Sequence, residues 1–330
     1  MSRRVLLTGG CGFIGSNFVR YVLGLGEDVH ITNLDLLTYA GNRASLSDLE
    51  DDPRYDFVQG DIADPALVEE LFARGVDDVI NMAAESHVDR SIDNPGIFIR
   101  TNITGTQVLL EAAQRHGIRR FLQVSTDEVY GSLGPTGYFT ESSPIQPSSP
   151  YSASKAGADH LVQAYQHTFG LPVNITRCSN NYGPYQFPEK LIPLMIAKAR
   201  ADEALPVYGD GMNVRDWLHV EDHCAAIWTV LTRAEAGPIY NVGGHNEITN
   251  LALVKQLLGI LGKPESLISF VTDRPGHDRR YAIDPKKIES ELGWTPKHNP
   301  EDGMRQTVDW YLANEAWWRP LLERAQLKHR

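Results

Sequence analysis

Two acids stand side by side in Ser125-Thr126-Asp127-Glu128, and Tyr151 and Lys155 follow four residues apart. Adjacent carboxyl groups repel each other's charge and so separate their pKa values, leaving one able to hold a proton while its neighbour accepts one. Such a pair supplies a general acid and a general base from one short segment, with the Thr126 hydroxyl beside them. Tyr151 and Lys155 at i and i+4 share a helix face. The ammonium favours phenolate, so Tyr151 is expected to exchange a proton with a substrate hydroxyl near neutral pH. Each pattern read alone has a plainer origin, either capping acids in a solvated loop or a charged helix surface.

The elements that must position these groups begin at the N-terminus. The apolar run Val5-Leu6-Leu7 enters Thr8-Gly9-Gly10-Cys11-Gly12-Phe13-Ile14-Gly15, after which Ile14, Phe18, Val22 and Leu25 recur at helical spacing. That is a strand, a glycine turn and a helix. Gly9 permits the tight turn, Gly12 lets backbone N–H groups approach a pyrophosphate, and Gly15 removes a side chain where helix and strand pack closely. The positive end of the new helix then faces the phosphates. A second predicted strand, 28–35, ends in Asp35, whose carboxylate accepts hydrogen bonds from an adenosine ribose and repels a 2′-phosphate. NAD is therefore expected over NADP.

The rhythm continues with a strand at 56–62, a helix opened by Asp64-Pro65, and a strand at 77–84 that ends at Glu85-Ser86-His87. A helix at 99–116, a strand at 120–125, a Pro- and Ser-rich loop at 132–150, a helix at 151–167 and a strand at 172–177 follow. This alternation predicts an α/β fold, a doubly wound parallel Rossmann sheet with a smaller, mostly α/β C-terminal domain. The sheet domain is assigned to 1–178 and 216–243, and a ligand-binding domain to 179–215 and 244–330. Asn180 and Asn181 read as amide donors at the sheet edge or as turn formers. Arg215 and a basic cluster from Arg274 to Arg280 are expected to clamp a diphosphate. Lys190 and Pro206-Val207-Tyr208 read as irregular chain, Tyr240–Gly244 as a last strand and turn, and 250–320 as helices with a stop at Gly293. His219, Glu221 and His223 read as alternate positions on a strand before a capping Asp222, so no metal is expected.

The chain has 330 residues, 42% hydrophobic and 22% charged, with a net charge of −11. That acidity argues against nonspecific binding to nucleic acid or anionic membranes. Three cysteines, Cys11, Cys178 and Cys224, lack metal-like or disulfide-like spacing and fit a reducing cytoplasm. No apolar stretch approaches the ~20 residues of a membrane span, and the N-terminal run is too short for a signal peptide.

Taken in order, the glycine turn, Asp35, Thr126-Asp127-Glu128, Tyr151-x-x-x-Lys155, Asn180-Asn181-Tyr182-Gly183-Pro184, Arg215-Asp216-Trp217 and Asp273-Arg274-Pro275-Gly276-His277 resemble the extended short-chain dehydrogenase/reductases. The resemblance covers almost the whole chain and is strongest to their nucleotide-sugar 4,6-dehydratases. It implies a bound NAD and a dTDP-glucose substrate, with oxidation at C4, loss of water across C5–C6 and hydride return to C6. The alternatives are the same dehydration of UDP-glucose, or a UDP-sugar 4-epimerase or decarboxylase. Tyr151, aided by Lys155, would take the C4 hydroxyl proton, Glu128 the C5 proton, and Asp127 would protonate the departing C6 hydroxyl beside Thr126. Cofactor contacts carried over are Gly9, Gly12, Phe13, Ile14, Gly15, Asp35, Leu36, Thr38, Asp61, Ile62, Ala83, Ala84, Ser86, Thr101, Tyr151, Lys155 and Asn181. Substrate contacts carried over are Ser86, Thr126, Asn180, Lys190, Leu191, Pro206, Tyr208, Arg215, Asn250, Arg274 and His277. The resemblance also implies a homodimer formed through the helices at 100–116 and 151–167. Cys11 stands where the family commonly has Ala, and the loop between Glu128 and Tyr151 is short for the family.

Overall fold

Apolar runs bounded by turns make strands that can be covered on both faces, and the first half of this chain consists of such runs. They form β1 (Arg3–Thr8), β2 (Val29–Asp35), β3 (Tyr55–Gln59), β4 (Asp78–Asn81), β5 (Arg120–Thr126) and β6 (Val173–Cys178). The remaining strands are β7 (Asn180–Tyr182), β8 (Leu205–Tyr208), β9 (Val214–His219), β10 (Ile239–Val242), β11 (Glu247–Thr249) and β12 (Ile268–Val271). The computed structural model describes residues 2–273 and 277–327. In it a wholly parallel sheet has the order β10-β6-β5-β4-β1-β2-β3.

Alternate residues of the strands feed two separate cores. Val5, Leu7, Ile31, Ile80 and Leu122 pack with Phe18 and Val22 of α1 (Phe13–Gly24) and with Ile227 and Trp228 further along the chain. On the other face, Leu6, Leu34, Val79, Phe121 and Val173 meet α2 (Pro65–Ala73), α5 (Thr106–His116) and α6 (Pro150–Phe169). Two short helices, α3 (Val88–Asp93) and α4 (Pro95–Phe98), precede a π-helical turn at Ile99–Gly105. The predicted helix 99–116 is thus α-helical only from Thr106. Leu25 also departs from expectation: it caps α1 and is exposed, because the helix ends at Gly24.

The second half holds α7 (Leu191–Arg200), α8 (Val220–Arg233), α9 (Asn250–Leu261), α10 (Lys286–Leu292), α11 (Pro300–Ala313) and α12 (Glu315–Leu327). Helix α8 returns to the large sheet beside α1, and β10 extends that sheet next to β6. The order β11-β9-β7 makes a second sheet and β12-β8 a third. Asn180 and Asn181 therefore lie on a strand, not in a turn, because β7 pairs with Trp217 and Leu218 of β9. Helix α7 is unforeseen, and β11 and β12 follow the strand read as last. His219 ends β9 and caps α8 by accepting from Glu221 N, which puts Glu221 and His223 on a helix.

Candidate active site

Strand β4 sits next to β1 while β2 lies on the other side, so the chain reverses direction in the sheet at the carboxyl ends of β1 and β4. A ligand crevice is expected at such a reversal. A cavity of about 1130 Å³ opens there and runs from the glycine turn to β8.

At one end the backbone leaves no room for side chains. Gly9 has φ +74°, and a Cβ there would lie 2.7 Å from Ala83 N. A Cβ on Gly15 would lie 2.3 Å from Gly9 O, so Gly15 is required by the turn itself. Gly10 is equally constrained, by Asn33, whose Oδ1 accepts from Gly10 N at 2.9 Å. Gly12 caps α1 without a side chain, so the first N–H groups of the helix, on the cavity-lining Phe13, Ile14 and Gly15, have no side-chain acceptor. That cradle suits a dinucleotide pyrophosphate. Asp35 is 8% exposed and accepts from Cys11 N and Leu37 N, one on each oxygen. Burial raises its pKa, and those two N–H donors partly offset the rise. Each carboxylate oxygen keeps a further acceptor site for a ribose hydroxyl. The residues thus fit an NAD-type dinucleotide. Gly15→Val is expected to raise the NAD Kd at least about tenfold by displacing the turn, measurable by isothermal titration.

Strand β5 delivers the two acids. Thr126 is its last residue, and Asp127–Tyr130 form a 3-10 turn in which Thr126 Oγ1 accepts from Glu128 N. This is not a solvated loop. Asp127 is 2% exposed, and its Oδ2 has no hydrogen-bond partner among the described residues. Burial, then the charge of Glu128, then that of Asp216 hold the Asp127 carboxyl well above its ordinary pKa. The turn is anchored below: Arg177 Nη1 donates to Tyr130 Oη at 3.0 Å, and Arg177 Nε pairs with Asp159 Oδ2 at 2.9 Å, all buried.

Helix α6 opens with a Ser149–Ser152 capping box, placing Tyr151 in its first turn against Phe98. Tyr151 and Lys155 both line the cavity, yet the expected lowering of the phenol pKa is reversed. Burial and then the Glu128 charge raise Tyr151 well above its usual range, while Lys155 Nζ donates to Val124 O at 2.7 Å. Burial in turn lowers the Lys155 pKa.

The cavity brings together every predicted cofactor residue: Gly9, Gly12, Phe13, Ile14, Gly15, Asp35, Leu36, Thr38, Asp61, Ile62, Ala83, Ala84, Ser86, Thr101, Tyr151, Lys155 and Asn181. Its far side carries Thr126, Asn180, Lys190, Leu191, Pro206, Tyr208, Arg215, Asn250 and His277, while Arg274 lies outside the described residues. The wider basic cluster does not converge on it. Arg279 forms a two-pronged pair with Asp210, and Arg280 another with Glu247. Arg215 sits with its guanidinium 4.3 Å from the centre of the Tyr281 ring.

Sequence reasoning missed Tyr39, Phe187, Glu189 and Trp217 on the cavity wall. Tyr39 is pinned between Arg90, 3.8 Å from its ring, and the edge of Phe187. Only Glu189 had a usable signal, its place beside Lys190. The histidine triplet also rearranges: His219, Glu221 and His298 bring one donor atom each within 4.8 Å, and His223 turns away. His298 approaches Asp222 and Glu221, whose hydrogen bonds raise its pKa to about 9, so an imidazolium already balances these carboxylates.

Parallel sheet, glycine cradle, buried acid pair and Tyr151–Lys155 helix define the class: a Rossmann enzyme of the short-chain dehydrogenase/reductase type. The family model described as GDP-mannose 4,6 dehydratase matches residues 6–307. A dTDP-glucose 4,6-dehydratase of Xanthomonas campestris pv. campestris (strain B100) is 56% identical, the alignment covering 96% of this chain and 95% of the relative. The crystal structure of dTDP-glucose 4,6-dehydratase from Streptomyces venezuelae, with NAD and TYD bound, superposes with a TM-score of 0.94 at 52% identity, covering 96% of this chain and 99% of that one. The UDP-glucose 4-epimerase of Thermotoga maritima, solved with UDP-glucose, shares the fold at a TM-score of 0.88 but is 28% identical, covering 94% and 99%. The chain belongs to the nucleotide-sugar dehydratases that the model describes, and within them to the dTDP-glucose 4,6-dehydratases.

Proposed function

We propose that this chain catalyses the NAD-dependent dehydration of dTDP-glucose to dTDP-4-keto-6-deoxyglucose. The observation that carries the reading is the buried Asp127 next to Glu128, facing the same cavity as Tyr151 and Lys155. NAD, when bound on the glycine cradle, supplies the hydride acceptor and donor that C4 oxidation and C6 reduction require. The protein's own groups handle the protons. Tyr151 takes the proton of the C4 hydroxyl in its phenolate form, the form that the Lys155 ammonium one turn along the helix favours. A 4-keto group acidifies C5, where Glu128 removes the proton. Asp127, kept protonated by burial and by its neighbour's charge, gives its proton to the departing C6 hydroxyl. One acid pair thus performs both halves of the elimination.

The division 1–178 with 216–243 for the cofactor and 179–215 with 244–330 for the sugar nucleotide accompanies this reading. So do a reducing cytosol, suited to three buried free cysteines, and a homodimer. Helices α5 and α6 lie side by side, and Ile97 and Ile99 near them are exposed, which supports pairing on that face. No helix among the described residues is long and apolar enough to cross a membrane. Purified protein given dTDP-glucose should yield a 4-keto-6-deoxy product that absorbs near-ultraviolet light in alkali and has lost one water by mass spectrometry. It should also sediment at twice the 36.8 kDa chain mass. An unchanged substrate mass, or a 4-epimer of equal mass, sinks the dehydratase reading.

A further inference from the structure

Histidine 223 lies on α8 with no solvent exposure, and among the described residues its ring makes one polar contact: Nδ1 is 2.9 Å from Asn181 Oδ1. Asn181 lines the cavity. We propose that His223 is a positioning residue for the cofactor site, donating from Nδ1 to Asn181 Oδ1 and so fixing which edge of the Asn181 amide meets a dinucleotide. The inference rests on the reading of Asn181 as a cofactor contact.

The orientation follows from the partners. Ser179 O can only accept, and it lies 2.9 Å from Asn181 Nδ2, so the amide nitrogen must face Ser179. The amide oxygen must then face His223. An amide oxygen only accepts, so the proton of a neutral imidazole must sit on Nδ1. Nε2 is left bare, and it has no hydrogen-bond partner among the described residues. Burial lowers the His223 pKa to about 3, which keeps the ring neutral and the tautomer fixed. Asn181 is held at its backbone as well, where Gln186 Nε2 donates to Asn181 O at 3.0 Å.

A terminal amide torsion is broad and nearly two-fold, so Asn181 holds one orientation through its two partners together, Ser179 O on the nitrogen and His223 Nδ1 on the oxygen. Burying a polar imidazole for packing alone has no advantage over a leucine of similar size. A single donor aimed at a single cavity-lining amide is the arrangement expected of an orienting group, as outer partners orient metal ligands.

The test measures the NAD Kd by tryptophan quenching on protein stripped of nucleotide, with thermal melting alongside. His223→Leu is expected to raise Kd about tenfold, the worth of one oriented hydrogen bond. Asn181→Ala should weaken binding at least as much, and the double variant no further than Asn181→Ala alone. His223→Asn, whose amide nitrogen replaces Nδ1, should return Kd to within about threefold of the parent. If Asn181→Ala weakens NAD binding but His223→Leu does not, the positioning role is overturned and the Asn181 reading stands. Unchanged binding in Asn181→Ala overturns both. Equal melting losses in the Leu and Asn variants, with no difference in Kd between them, mark His223 as structural only. Should the Leu variant not fold, His223→Gln takes its place, since its amide nitrogen lies nearer the Nε2 position.

Discussion

Glu128→Gln is expected to lower kcat for dTDP-glucose by about 10²–10⁴, the usual worth of a positioned general base. Gln keeps the size and hydrogen-bonding shape of Glu but cannot accept the C5 proton. In deuterated solvent, C5 exchange should slow in step with the elimination. Asp127→Asn should separate the two acids: C5 exchange persists while release of the C6 hydroxyl slows, because Glu128 still works and the proton donor is gone. The pH response has a defined sign. Asp127 acts as the protonated form, and its pKa is displaced upward by burial and by Glu128. Turnover therefore survives above the ordinary carboxylate range and declines on the alkaline side as Asp127 ionises. Neutralising Glu128 removes one of the causes of that displacement, so residual elimination in Glu128→Gln should decline at a lower pH. Full activity in Glu128→Gln, or loss of C5 exchange in Asp127→Asn, reverses the assignment.

The largest stability effect is expected at Arg177→Leu, a loss of about 3–5 kcal/mol from leaving one member of a buried ion pair uncompensated. Asp159 and Arg177 are 0% and 2% exposed, so water cannot take over as partner. The change also strips Tyr130 of a donor, although Tyr130 still donates to Asn241 Oδ1 at 2.8 Å. Melting should fall by on the order of 10 °C in a calorimetric scan. Activity should fall with it, since Tyr130 closes the turn that carries both acids. Replacing Arg177 and Asp159 together by Leu and Met should cost far less, because no charge is then stranded. If the double variant is as unstable as the single, the ion pair is not the cause.

Local rules made much of this legible. Val5-Leu6-Leu7 followed by three spaced glycines is strand, turn and helix by backbone freedom and periodicity alone, and Asp64-Pro65 marks a helix start by its capping chemistry. Thr126-Asp127-Glu128 and Tyr151-x-x-x-Lys155 are legible as reacting groups because they follow a nucleotide-binding glycine turn in order, although each alone has a plainer use in capping or on a solvated face. The remainder depends on neighbours distant in sequence. Asn180-Asn181 looks like a turn until β9 arrives to pair with it, and α7 has an apolar surface so broad that no 3.6-residue stripe stands out. The Tyr151 shift goes the other way because burial disfavours the phenolate and Glu128 then adds a like charge, a balance set by packing. Arg279 and Arg280 read as phosphate ligands until Asp210 and Glu247 are seen to hold them.

The π-helical turn at Ile99–Gly105 separates two jobs that a plain helix would lock together. Such a turn takes in one residue more than an α-turn, and each residue is worth about 100° of rotation about the axis. Thr101 within the turn faces the cavity, whereas Leu109 and Ala112 of α5 after it face the sheet. Asn102 uses the slack to bind both the backbone of Glu85 and Ser154 of α6. The segment therefore works as a phase shifter: losing one residue between Arg100 and Gly105 would leave the core-facing half in register and swing the ligand-facing half away from the cavity.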